Sequence, residues 1–224
     1  QAKQQYGLSL IELMVAMALS LILMAGVLQI FIGNKKGFEI TRDLGEMQEN
    51  GRMGLTFVGE SLRTADHWAS LEGSDVSGVP TLSSAPGTCN AAWVFNPSVA
   101  VQGYEGGTTA PAAIANCISN YQPNTDVIVV RYADGREMVS DAELAATPNE
   151  LYVRTSVAQS GVIFNGADSA AAIAKIPYDT GVLTFPYVTE LYFVRACSIQ
   201  NGTACVDSIP TLVRLSLAND TFVQ

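Results

Sequence analysis

The chain has 224 residues, 48% of them apolar, and a formal net charge of −9 from 12 basic and 21 acidic residues. That balance excludes a protein held to nucleic acid by bulk charge, and a single histidine, His67, excludes a multi-histidine metal centre within one chain. Charged residues make up only 15%, below the roughly 25% of ordinary soluble domains, and the mean hydropathy is +0.23, so an apolar excess must sit somewhere.

It sits at the start. From Leu13 to Ile32 twenty residues pass without a charge, and Asn34-Lys35-Lys36 follow as a polar stop. As a helix this run covers about 30 Å, the thickness of a bilayer's hydrocarbon core, and it reads as one membrane-spanning helix. A cleaved secretory signal peptide fits less well, because the run is long and its one A-x-A, Ala16-Met17-Ala18, lies inside it. A buried core helix is opposed by the uncharged length. The flanking lysines, Lys3 before and Lys35 and Lys36 after, weakly favour the wrong orientation for an exported C-terminal part, whereas the cysteines favour export. Glu12 stands at the membrane edge, where an unpaired carboxylate costs up to about a few kcal/mol depending on depth. It either snorkels to the headgroups or meets a cation inside the membrane.

The residues Gly7-Leu8-Ser9-Leu10-Ile11-Glu12-Leu13-Met14-Val15-Ala16 resemble the class III signal of type IV pilins and type II secretion pseudopilins. The resemblance implies that a prepilin peptidase cuts between Gly7 and Leu8, that the new Leu8 amine is methylated, and that Glu12 is kept in the membrane. Residue 1 is Gln, so the visible leader is expected to have lost its start. Leu8 stands where Phe or Met is commoner, and Gln29 stands where major pilins carry a mid-helix proline. Gln48-Glu49-Asn50-Gly51-Arg52-Met53 and Leu62-Arg63-Thr64-Ala65 resemble the minor pilins of the PilW family, and Thr125–Tyr132 and Pro210–Leu215 do so more loosely. The pairing of Glu12 with an amine also has a physical reason. An α-amino group at Leu8 is cationic below its pKa of about 8. In a stack of subunits Glu12 of one chain can meet the Leu8 amine of a neighbour, each relieving the other's desolvation.

The helix is expected to continue past the membrane. Ile40, Leu44, Met47, Gly51, Leu55, Val58, Leu62 and Ala65 recur at spacings of three and four, with charges mostly off that stripe. Leu8 to Ala65 would form a rod of about 85–90 Å, its stripe packed on the chain's own sheet. Residues 70–124 are rich in Gly, Pro, Ser, Thr and Ala; Ser70–Gly87 and Gly103–Ala113 read as loops, with short strands between them at Ala92–Phe95 and Val99–Val101. Strands are expected at Val127–Tyr132, Leu151–Thr155, Val162–Phe164, Val182–Phe185, Glu190–Ala196 and Leu212–Leu217, with hairpin-type turns at Asp134-Gly135 and Asn201-Gly202. Asp168–Lys175 is a short helix or a loop. The expected fold is α+β and type IV pilin-like, a long N-terminal helix laid on an antiparallel β-sheet head. Its segments are a leader at 1–7, a membrane and filament-core helix at 8–33, an amphipathic continuation at 34–69 and a head at 70–224. Residues 1–69 carry 6 basic and 7 acidic residues, residues 70–224 carry 6 and 14, so the acidity belongs to the head.

Four cysteines are an even count for an exported head. Cys197 and Cys205 flank the Asn201-Gly202 turn symmetrically and suit a disulfide-closed hairpin, which leaves Cys89 with Cys117; three connectivities are formally open, as is a set of reduced, buried thiols. No Cys-x-x-Cys, Walker A, His-Glu-x-x-His or Gly-x-Ser-x-Gly motif occurs, and Gly103–Gly107 lacks the context of a nucleotide loop. His67 beside Asp66 is a weak triad candidate against a surface or packing role. Asp134, Asp141, Glu143 and Asp179 offer oxygens without a calcium-loop spacing. No catalytic residue, metal or cofactor is expected. The resemblance implies a minor pilin that primes type IV pilus assembly. Its partners would be other minor pilins, the major pilin, prepilin peptidase and a tip adhesin, in support of twitching motility and adhesion. The protein would sit in the inner membrane with a periplasmic head, then at the pilus tip. The alternatives are a type II secretion pseudopilin, a membrane-anchored enzyme or ligand-binding domain with an uncleaved N-terminus, and a DNA-binding uptake pilin relying on a local basic patch.

Overall fold

The computed structural model describes residues 9–69, 71–78, 94–157, 159–179, 181–218 and 221–223. The long apolar run and its continuation form one helix, α1 (Leu10–Thr64). The chain divides into two units, residues 1–55 and 56–224, so the last turns of α1 belong to the second unit, the head. In the first unit Ile40, Leu44 and Met47 are exposed. In the head the helical stripe packs on the sheet only through Val58 and Ala65, against Val130, Tyr132 and Tyr192, while Leu62 at the same spacing is exposed. The fully buried residue of this stretch is polar Ser61, which the apolar stripe did not include.

The head is built on a sheet of eight strands: β1 (Val76–Ser77), β2 (Val101–Tyr104), β3 (Val127–Ala133), β4 (Leu151–Ser156), β5 (Gln159–Asn165), β6 (Val182–Arg195), β9 (Thr211–Ala218) and β10 (Thr221–Val223). Its path runs β1-β5-β4-β6-β3-β2, with β9 pairing β6 and β10. The sheet is antiparallel as expected in all its pairings except β1 with β5, which makes it mixed at that edge. β1 is only two residues long and is followed by Gly78, whose φ of +115° and close approach to the Ile163 carbonyl exclude a side chain.

β6 replaces two expected strands with one of 14 residues. Pro186 in its middle cannot donate to a ladder, which disfavours a continuous strand. The strand continues because its two halves have different neighbours: Val182–Pro186 pair β4, and Tyr187–Tyr192 pair β3. The Pro186 carbonyl takes the Asp134 N–H at 2.9 Å, so the missing proline N–H faces the end of β3, where the ladder stops. Asp134-Gly135 therefore ends a strand rather than closing a hairpin; β3 pairs β2 and β6, and α2 (Asp141–Leu144) precedes β4. The loop expected from Gly103 onwards gives up Gly103 and Tyr104 to β2, while Val94 and Phe95 lie in a turn rather than a strand, and Ala92 and Trp93 fall outside the described residues.

Three apolar clusters hold the head. Val127, Val129, Leu191, Phe193 and Val213 face one side with Trp68, Val94, Phe95 and Ile114. Tyr152, Val162 and Phe164 pack on Ala172 of α3 (Ser169–Lys175), the helical option for that segment, and on Ile176 just after it. Val130, Tyr132 and Tyr192 meet the end of α1. The central strands are buried on both faces, which explains why β3 reads as a near-continuous apolar run.

Candidate functional site

The N-terminal candidates fall on both sides of the described boundary. Gly7 and Leu8 lie outside the described residues. Glu12 stands in the first turn of α1, where the Ser9 carbonyl accepts the N–H groups of Glu12 and Leu13 at 3.1 and 3.2 Å. A carboxylate in a first turn is stabilised by the unpaired N–H groups and the helix dipole. Glu12 thus has a local structural reason for its place besides any intersubunit one.

Behind Glu12 the helix presents apolar side chains on every side. Leu10, Ile11, Met14, Leu21, Ile22, Leu23, Met24, Ile30 and Phe31 are all more than half exposed. The polar Ser20 in this stretch satisfies itself, its Oγ donating to the carbonyls of Ala16 and Met17 at 2.9 and 3.0 Å, as hydrocarbon surroundings require. Among the described residues α1 is the one helix long and apolar enough to cross a membrane. Beyond the lysine stop the surface turns aqueous: Lys35–Glu39, Arg42–Glu46 and Arg52–Glu49 form exposed ion pairs along the helix, worth about 0.2–0.5 kcal/mol each.

In the head, the end of α1 is fixed by a polar cluster. Ser61 Oγ donates to the Glu190 carboxylate and lies 2.7 Å from Tyr192 Oη, which itself donates to Glu190 at 3.1 Å. Arg214 closes the set with a 3.5 Å contact to Glu190 and a guanidinium 5.5 Å above the Phe57 ring. Burial raises the Tyr192 phenol above its ordinary pKa, the Ser61 hydrogen bond opposing the rise. Beside the cluster opens a cleft of about 400 Å³ lined by Glu60, His67, Asp134, Arg136, Glu190 and Arg214. Asp134 and Arg136 pair through two side-chain hydrogen bonds of 2.8 and 2.9 Å, which hold the Asp134 carboxyl below the usual range.

The remaining sequence candidates resolve into structural roles. Asp66, the possible orienter of His67, accepts the Trp68 indole N–H at 2.8 Å instead. Asp141 forms an ion pair with buried Arg154 at 2.6 Å, and Glu143 closes a capping box with Ser140 at the start of α2. No three potential metal-ligating acids, histidines or cysteines gather among the described residues. Cys197 and Cys205 are joined in a disulfide across the small hairpin of β7 (Gln200–Asn201) and β8 (Ala204–Cys205). Gly202 opens its two-residue loop with φ +61°, the conformation such loops demand. Cys117 is also disulfide-bonded, while Cys89 lies outside the described residues.

Sequence reasoning missed the buried arginines. Arg131 donates to the Val99 carbonyl and to Gln102, Arg154 to the Ile176 carbonyl and Thr184, and Arg195 to the carbonyls of Cys197 and Ser198. Each ties a strand to a neighbouring segment. The available signal was a lone arginine inside an apolar strand, as in Val129-Val130-Arg131-Tyr132.

The fold is that of a type IV pilin-like α+β protein, a long apolar N-terminal helix followed by a mixed-sheet head. Residues 2–28 match the prokaryotic N-terminal methylation motif. The chain therefore carries the N-terminus of prepilin-type proteins, the pilin and pseudopilin class, a motif that implies processing by prepilin peptidase, assembly with other pilins and anchoring in the inner membrane. It favours a structural role over a catalytic one. No curated protein and no solved structure matches the chain.

Proposed function

We propose that this protein is a minor pilin that primes type IV pilus assembly and sits in the tip complex with other minor pilins and a tip adhesin, in support of twitching motility and adhesion. The observation that carries the reading is the methylation motif over residues 2–28, set at the head of an apolar helix with a single acid, Glu12, in its first turn. The PilW-like stretches late in the chain, at 125–132 and 210–215, support the pilus assignment over the secretion pseudopilin. In this reading residues 1–7 are the leader, 8–33 the membrane and filament-core helix, and Leu8 the methylated residue. Before assembly the head is periplasmic. Glu12 pairs with the Leu8 amine of a neighbour and sets the axial register.

Mass spectrometry of the chain recovered from its host tests the processing: a start at methylated Leu8 is expected, and an intact leader in a host with active peptidase would sink the proposal. Deleting the gene separates the readings, since loss of surface pili supports the minor pilin and loss of protein secretion supports the pseudopilin. Glu12→Ala should be processed normally yet lower incorporation into surface fibres. Incorporation equal to wild type would remove the pairing from the mechanism.

A further inference from the structure

Among the described residues no strand pairs the outer edge of β2, and the strand's own sequence carries no device to block it. β2 ends the path of the sheet and pairs only β3 among the described residues. The Arg131 N–H donates to the Ala100 carbonyl at 2.8 Å, so Ala100, Gln102 and Tyr104 turn their backbone groups toward β3. The alternation of a strand then turns the N–H and C=O groups of Val101 and Gly103 away from the sheet. Native edges are usually blunted by lysine, proline, inward charge or a bulge. Val101-Gln102-Gly103-Tyr104 has none of these, and its register with β3 is unbroken. A Cβ on Gly103 would meet nothing within 4 Å, so a side chain can be placed there without disturbing β2.

The edge is also held ready. Fully buried Arg131 donates to the Val99 carbonyl at 2.5 Å and to Gln102 Oε1 at 3.1 Å, clamping the strand and the residue leading into it. Little ordering of the acceptor is left to do on binding.

We propose that this edge accepts an extended segment of a different membrane-anchored subunit of the same assembly, which adds to the sheet as a strand beside β2; the inference rests on the assembly reading above. Outward backbone groups select an extended peptide rather than a small ligand. Four residues of edge are far short of the roughly 1,000 Å² that a free partner needs, so the occupant must arrive at high effective concentration, as a chain held in the same membrane does. Charge selects against a second copy. Glu105 follows the strand directly, and residues 70–224 carry 14 acidic against 6 basic residues, so a neutral or basic strand is favoured.

The test uses the full-length chain in its host. Gly103→Pro removes an outward donor and leaves the β2–β3 ladder intact, whereas Gly103→Ala keeps the donor. With unchanged melting temperature, Gly103→Pro should reach sheared surface fibres about tenfold less than Gly103→Ala. If the proline variant melts lower, Gly103→Lys puts a charge into the same open space and carries the same expected loss. A photo-crosslinking side chain at residue 103 should capture a peptide of another prepilin-type subunit. Capture of a second copy, or of nothing, overturns the proposal. So does incorporation of the proline and lysine variants at the alanine level. If wild type is processed and incorporated while those variants are too, the inference alone fails. A wild-type chain that keeps its leader and stays out of fibres takes down both readings.

Discussion

Replacing Glu190 by alanine probes how the end of α1 is held to the head. Glu190 is 5% exposed and serves three donors: Ser61 Oγ, Tyr192 Oη and the Arg214 guanidinium. Removing one partner of a buried ion pair costs about 3–5 kcal/mol when it strands the other charge. Here the cost is smaller for two reasons visible in the geometry. The Arg214 side chain is 49% exposed and returns to water. Ser61 and Tyr192 keep each other at 2.7 Å, and Ser61 also reaches the Phe57 carbonyl at 3.1 Å. Two hydrogen bonds to a charged group, at about 1.5–3 kcal/mol each, are then offset in part by relief of the glutamate's own desolvation, and a net loss of about 2–3 kcal/mol is expected. For a head of this size that is a fall in Tm of roughly 4–12 °C. Thermal unfolding of the full-length chain in detergent, followed by near-ultraviolet circular dichroism, measures it. A double-mutant cycle with Ser61→Ala should return a coupling of about 1 kcal/mol. A loss below about 0.5 kcal/mol for Glu190→Ala would falsify the view that this cluster, rather than the apolar contacts of Val58 and Ala65, fixes the helix end.

Other outcomes follow from the same structure. Arg154→Ala leaves Asp141 and the Ile176 carbonyl without their donor and should cost about 3 kcal/mol in denaturant titrations; a change under 1 kcal/mol would show that water replaces the guanidinium. Cys197→Ser with Cys205→Ser opens a short loop and should cost about 2.5 kcal/mol by chain entropy, read as a loss absent when wild type is first reduced. Asp134 is depressed by Arg136, so its contribution is present above pH about 4 and lost as the pH falls further; Asp134→Asn should flatten that acid limb. Burial raises the Tyr187 phenol to about 12, so stability present below pH 10 is lost as the pH rises through 12, and Tyr187→Phe should remove part of that alkaline loss.

The sequence by itself determined the elements whose causes are local. An uncharged run long enough to cross a bilayer, a first-turn acid and a methylation motif need no partner strand to be recognised, so α1 and the prepilin-type N-terminus were legible from residues 2–28 and the twenty residues ending at Ile32. The Cys197–Cys205 hairpin was legible too, because two cysteines equidistant from an Asn-Gly turn lie within reach of each other. Tertiary structure alone decided where each element goes. Pro186 breaks a strand in the abstract, but not when its missing N–H faces the end of β3. β1 is two residues beside a strand 84 residues later, and nothing in Val76-Ser77 announces it. An apolar stripe on a helix does not say how many of its turns the sheet covers. In the head that number was set by Ser61, Glu190 and Tyr192, three polar residues up to 131 positions apart, whose interaction exists only once the strands are assembled.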